Sequence, residues 1–226
     1  EEGRMAGIIA GDDVLSIAID EQTEDMQKMV GLDGEERTLT PWTQSFKRRL
    51  PWLFVNLLTA CLAGAVVGVF QGTIKEFVVL AVFLPIIASQ GGNAGMQTVT
   101  VIIRDMALGE LSPGDGRKAL FKELLLGLLI GTIIGLIVGL VSYLIAPKFG
   151  ITAEMGAILG LVVGAAMVLN LLAAALFGVL IPFALKFFRL DPALGSSILI
   201  TTVTDVAGFF FLLALAKWIL TGSPQA

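Results

Sequence analysis

Long apolar runs, each bounded by charge, dominate the chain after residue 50. Between Arg49 and Lys75 lie 25 residues without a charge, and between Glu76 and Arg104 there are 27. Glu123 to Lys148 encloses 24 more, and Glu154 to Lys186 encloses 31. From Pro192 to Ala216 run 25 residues interrupted once, by Asp205. A bilayer-crossing helix needs about 20 mostly apolar residues. The pattern therefore predicts an all-α integral membrane protein with five transmembrane helices, at residues 52–71, 77–103, 124–146, 157–185 and 196–217. Pro85 and the run Gln90-Gly91-Gly92-Asn93-Ala94-Gly95 predict a kink in the second, because proline removes a donor and glycine weakens the helix.

The first fifty residues read differently. Gly7-Ile8-Ile9-Ala10 followed by Gly11-Asp12-Asp13 suggests the closing strand and turn of a soluble domain over residues 1–20. Residues 21–30 read as a helix, with Glu21, Glu24 and Asp25 near its start and Gly31 past its end. Thr40-Pro41 then reads as an N-cap and first helical position. It opens a short interfacial helix with Trp42, Phe46 and Leu50 at spacing four beside Lys47-Arg48-Arg49. No stretch resembles a cleavable signal, and the start at Glu1-Glu2-Gly3 suggests a fragment of a longer protein.

Composition sharpens this. The chain is 56% hydrophobic and 15% charged, against about 25% charged for soluble domains. Histidine is absent and Cys61 is the only cysteine, which excludes disulfide scaffolds, Cys/His zinc sites and histidine-dependent catalysis. No basic footprint supports nucleic-acid binding. Lys47, Arg48, Arg49, Arg104, Arg117, Lys118, Lys122, Lys186 and Arg189 fall on one side of the predicted spans, and only Lys75, Lys148 and Lys217 on the other. That asymmetry puts the amino terminus in the cytosol and the carboxyl terminus outside. Gly127, Gly131, Gly135 and Gly139 recur every fourth residue, as do Gly156, Gly160 and Gly164, and Gly64, Gly68 and Gly72. Such stripes let helices approach closely in lipid, so spans one, three and four read as scaffold.

Chemistry is confined to two places. Asp205 has thirteen residues of its run before it and eleven after, which puts it near mid-membrane. An acid there is a functional candidate, because inserting it costs about 2.5–3.5 kcal/mol. Thr201, Asp205 and Gly208 share a helix face, flanked by Thr202, as the wall of a narrow aqueous path would require. Span two offers Gln90, Gly91, Gly92, Asn93 and Gln97, either a second lining or a polar clamp between helices, while Asn170 in span four reads as structural. One carboxylate per chain matches a divalent cation only if two subunits contribute, across a twofold axis. Oxygen ligands and a retained water shell suit Mg²⁺, whereas soft metals would want Cys, Met or His.

These motifs resemble the MgtE family of bacterial magnesium channels and transporters over about residues 1 to 220. The strongest pieces are Pro85 with Gly91-Gly92-Asn93-Ala94-Gly95-Met96-Gln97, and Thr204-Asp205-Val206-Ala207-Gly208-Phe209. Asp191-Pro192-Ala193-Leu194 and Thr23-Glu24-Asp25 also look familial. The resemblance implies a homodimer in the bacterial inner membrane, with spans two and five lining the pore. It implies that Asp205 of both chains contacts hydrated Mg²⁺, helped by the Thr201 carbonyl, with no organic cofactor. It also implies that residues 1–20 are the tail of a cytosolic CBS-like module, 21–51 a plug linker with the interfacial helix, and 52–220 the pore domain. Some members carry asparagine two turns before the aspartate, where this chain has Ser197.

The acids Asp12, Asp13, Asp20, Glu21, Glu24 and Asp25 read equally well as a solvated linker or as a Mg²⁺-screened gate. The resemblance favours the gate, with Asp20, Glu21, Glu24 and Asp25 as gating residues. Two rival classes remain. An intramembrane enzyme needs paired acid and base groups that one aspartate does not supply, so no enzyme is expected. A proton-coupled secondary transporter using Asp205 as relay is the alternative, though neither a second titratable group nor an internal repeat supports it.

Overall fold

The computed structural model describes residues 10–111 and 114–220, and every regular element among them is helical. In chain order these are α1 (Gly11–Met29), α2 (Trp42–Val69), α3 (Gln71–Glu76), α4 (Leu80–Ala107), α5 (Asp115–Ile145), α6 (Ala153–Phe187) and α7 (Ser196–Leu220). A 3₁₀ turn, Ala146–Phe149, leads through left-handed Gly150 towards α6, whose first turn is capped by the Thr152 hydroxyl accepting from Met155 N–H.

Four helical stretches are long and apolar enough to cross a membrane: α2, α5 with its 3₁₀ extension, α6 and α7. Their outer faces carry large apolar side chains in the open, Leu53, Phe54 and Leu57 on α2 and Ile133, Leu136 and Leu140 on α5 among them. Water would not tolerate so continuous an apolar coat; lipid requires it. Helix α4 is 28 residues long, but the polar run Gln90–Gln97 lowers its apolarity, so it is absent from the four. It is instead well buried, through Leu80, Phe83 and Ile87.

The centre is α6. Its Leu159, Val163, Ala166 and Met167 are fully buried against α4 and against Leu212 and Leu213 of α7. On its other flank α6 meets α5 through glycine. A Cβ on Gly135 would lie 2.7 Å from the Gly164 carbonyl oxygen, and one on Gly139 would lie 2.6 Å from that of Gly160. Backbone touches backbone there, as the two stripes predicted.

The third stripe behaves differently. A Cβ on Gly64, Gly68 or Gly72 would meet nothing within 4 Å in this chain, and Ala63 is the one buried residue of α2. Three further expectations need correction. Gly11-Asp12-Asp13 is no turn but the first turn of α1, so the boundary drawn at residue 20 falls inside a helix; Asp12 and Asp13 favour the positive end of its dipole. The strand expected at residues 7–10 lies, except for Ala10, outside the described residues. The separate interfacial helix is also absent, because α2 runs unbroken from Trp42 through Pro51 into the span. Thr40 does not cap it: its hydroxyl accepts from Arg37 N–H. Helix α4 runs from Leu80 to Ala107 with Pro85 and the glycines inside it.

Replacing Gly139 by valine should force α5 and α6 apart and lower stability by about 1–3 kcal/mol, the usual cost of overpacking. Gly68→Ala, on the uncovered stripe, should leave the midpoint unchanged or raise it. Thermal unfolding in detergent separates the two, and equal losses would remove the distinction between the stripes.

Candidate functional site

Helix α7 sets its hydroxyls in one way throughout. Thr201 Oγ1 donates to the Ser197 carbonyl at 2.8 Å, Thr202 Oγ1 to that of Ile198 at 2.6 Å, and Thr204 Oγ1 to that of Ile200 at 3.0 Å. A hydroxyl has one hydrogen, so the half-buried Thr201 and Thr202 oxygens are left to accept from water or to ligate a cation, while Thr204 is fully buried. Asp205 adds a half-buried carboxylate. Among the described residues no Lys or Arg forms a salt bridge with it. Nor does any group of three or more Asp, Glu, Cys or His residues there form a metal site. One chain holds one carboxylate and a row of oxygen acceptors.

Helix geometry fixes where they point. Thr204 and Gly208 are buried, and a Cβ on Gly208 would lie 2.8 Å from Asn170 Nδ2. At about 100° per residue, Asp205 points about 60–100° round α7 from those two, out of the packed junction, with Thr201 between. On α4, Gly92 faces this edge: a Cβ there would be 3.5 Å from Thr201 Cγ2 and 3.9 Å from Thr204 Oγ1. Gly91 instead turns to the Asn170 amide and to Thr204.

The residues expected to line a path therefore separate. Gly92, Thr201 and Thr204 come together. Gly91 and Gly208 face inward onto Asn170. Ser197 and Thr202 are half-buried on α7, while Asn93 and Gln97 are exposed on α4. Thr201 also borders a cavity of about 380 Å³ walled by Leu32, Arg49, Trp52 and Asn56. Gln97 borders another, of about 220 Å³, beside Thr98, Lys122 and Glu123. Thr98 Oγ1 donates to Glu123 Oε2 at 2.9 Å, tying α4 to α5. Sequence reading used Glu123 only as the edge of a charge-free run; that α5 starts at Asp115 puts it two turns inside the helix.

The four acids assigned to gating, Asp20, Glu21, Glu24 and Asp25, all border a cavity of about 570 Å³ between α1 and the α6–α7 connection. Lys28, which sequence reading passed over, closes it. Its Nζ lies 2.7 Å from Asp191 Oδ2 and also pairs with Glu24, one turn back. Gly195 N–H donates to the Lys28 carbonyl at 2.9 Å. Trp52 of α2 is wedged between Gly31 and Gly195, where a Cβ on either would collide with the indole. Both glycines have positive φ, 80° and 60°, so a side chain would be strained as well as crowded. Beside them, the Arg49 guanidinium hydrogen-bonds Glu36 and holds that carboxyl below its ordinary range. Burial, and then Asp191, push Asp25 above its ordinary range. The Asp191 and Glu24 carboxylates raise the pKa of Lys28.

A family model for MgtE, described as a divalent cation transporter, matches residues 84–215, from the start of α4 to near the end of α7. The chain belongs to the MgtE family. It is 34% identical to the magnesium transporter MgtE of Thermus thermophilus, over 97% of this chain and 47% of that protein. The magnesium transporter MgtE of Bacillus subtilis is 30% identical over 96% of the chain and 46% of its own length. That of Enterococcus faecalis is 28% identical over the same shares. The chain thus spans about half the length of these relatives. All three relatives are named as transporters.

The α1 junction yields a pair of opposite effects. Lys28→Gln removes an ion pair and should loosen α1 by roughly 1 kcal/mol or less, given its partial exposure. Asp25→Asn should tighten it, because it deletes a carboxylate whose charged form is disfavoured when docked. An acid with a raised docked-state pKa binds its proton more readily when docked, so this contribution weakens docking as pH rises through and just above the ordinary carboxylate range. Amide exchange over residues 11–29 should therefore quicken in the first variant and slow in the second. Equal changes in both would rule out this charge arrangement.

Proposed function

We propose that this chain carries Mg²⁺ across a bacterial inner membrane through a path between two copies, with Asp205 of each at the ion's mid-membrane site. The observation that carries this reading is a carboxylate without a salt bridge among the described residues, on a helix apolar enough to cross the membrane. It stands among hydroxyls able only to accept or ligate. Two such carboxylates supply the charge of one divalent cation, and the oxygens around them suit an ion that retains most of its water. The Thr201 carbonyl, one turn before Asp205, is the expected helper.

In this reading α4 is the fifth span, admitted to the membrane because its polar run is turned towards the path and its neighbours rather than towards lipid. Residues 52–220 form the pore domain, multi-pass, with Gly92, Thr201, Thr202 and Ser197 along the path and Asn93 and Gln97 on the face left for the second copy. The excess of Lys and Arg at the α1 end places that end in the cytosol. Residues 21–51 link it to the cytosolic side, and the cavity bordered by Asp20, Glu21, Glu24 and Asp25 is where cytosolic Mg²⁺ acts on the gate. Proton coupling is the weaker reading, since a relay needs a second titratable group beside Asp205.

Asp205→Ala and Asp205→Asn should each reduce Mg²⁺ flux into proteoliposomes by at least about tenfold, because close charge pairing is worth several kcal/mol at low dielectric. Oligomeric state should be unchanged. Dissipating a proton gradient should leave wild-type flux intact. Normal transport by Asp205→Ala would falsify the site; flux that collapses with the proton gradient would instead favour the relay.

A further inference from the structure

Asn170 of α6 is fully buried among apolar side chains, and nothing in the function just proposed uses it. Its Nδ2 donates to the Ile87 carbonyl of α4 at 2.8 Å. The amide fills the space left by two missing side chains on two other helices. A Cβ on Gly91 of α4 would overlap Nδ2 and lie 2.9 Å from Cγ, and one on Gly208 of α7 would lie 2.8 Å from Nδ2 and 3.1 Å from Cγ. Gly91 would also press on Thr204, 3.1 Å away, the residue before Asp205. One side chain thus fixes the approach of α4 and α7 at the level of the carboxylate.

The chemistry of the group argues for more than filling. Turning the amide over would set its oxygen against the Ile87 oxygen, two acceptors together, so the donor's direction is fixed by its partner. Asn170 Oδ1 meets no donor among the described residues. A leucine, with the same branching and number of heavy atoms, would occupy the junction without that orphaned acceptor, and apolar replacement of a half-satisfied buried group is commonly neutral or stabilising. What leucine lacks is direction. Dispersion lets helices slide, whereas a hydrogen bond to one named carbonyl sets both distance and rotation.

We infer that Asn170 is a positioning residue for the ion path. Its amide holds α4 against α7 so that the Gly92–Thr201 edge, one turn from Asp205, keeps a fixed width. This rests on the proposed path for its functional part, while its geometric part stands alone. Asn170→Leu should fold and assemble, with a melting temperature in detergent near that of the wild type. Its half-saturating Mg²⁺ concentration should nevertheless rise by about threefold or more, the size of one interhelical hydrogen bond in a membrane protein. Gly91→Ala should fail by itself, because its methyl claims the amide's space, and Asn170→Ala in the same chain should restore assembly.

A readout independent of transport is the disulfide yield of a Gly92→Cys/Thr201→Cys pair, with Cys61 replaced by serine. It should drop when Asn170→Leu is added. Unchanged half-saturation together with unchanged cross-linking would overturn the inference, as would a Gly91→Ala chain that tolerates Asn170. Should Asp205→Ala transport normally, the path reading falls, yet the cross-linking and the Gly91/Asn170 exchange still decide the positioning role.

Discussion

A carboxylate inside a membrane helix must be neutralised, hydrated or ligated, since leaving it bare in hydrocarbon costs several kcal/mol. Asp205 forms no salt bridge with a basic side chain among the described residues, so none of their positive charges compensates it directly. Much of the surrounding architecture follows from that demand. Thr201 and Thr202 give their hydroxyl hydrogens to their own helix and show only oxygen to whatever lies beside Asp205. The glycines of α4 bring its backbone to α7 without a side chain intervening. Through Thr204 and Gly208, α7 is pinned in rotation, and this holds Asp205 at the junction's edge.

That precision depends on a rigid centre. With α5 and α6 meeting backbone to backbone along two glycine stripes, α6 has little freedom to rock, because dispersion contacts at such range are dense and fall off steeply. From α6 the order passes to α4 and α7 through buried Leu159, Val163 and Met167 and through one amide, Asn170. Helix α2 is held more loosely. Its Ala63 is buried and its Val67 packs against the core, and near its start Trp52 is clasped by Gly31 and Gly195, whose positive φ angles and missing side chains make room for the indole.

Four of the five expected spans were legible because charge is expensive in lipid, and a long charge-free apolar run declares itself; α4 is charge-free too, but its polar run keeps it from the four. Their ends were not. Neither Pro51 nor the boundary of the hydrophobic run stops α2, since a helix continues into the interface wherever its backbone bonds are satisfied. Gly11-Asp12-Asp13 misled because the same residues start turns and favour helix N-termini. Candidate site residues were readable by type and only partly by direction. Periodicity put Gly208 on the face of Asp205, but the 40–60° between neighbours on a helix face separates a path from a packed junction. Contacts such as Lys28 with Asp191, 163 residues apart, and Asn170 with Ile87, 83 apart, have no local signature at all.

Two departures from stability-first packing meet in this small volume. Among the described residues, Asn170 leaves an amide oxygen without a donor and Asp205 forms no salt bridge with a basic side chain. Either alone could be incidental, since membrane proteins contain occasional strained polar groups. Their juxtaposition is harder to explain by packing, because an all-apolar junction of the same helices would be easier to build and no less stable. Local rules tend to be broken where a sequence answers to something besides its own fold. Here the two breaks sit on neighbouring faces of α7: one places a charge at the edge of the junction, and the other, about 60–100° round the helix, fixes how far away the facing helix stands.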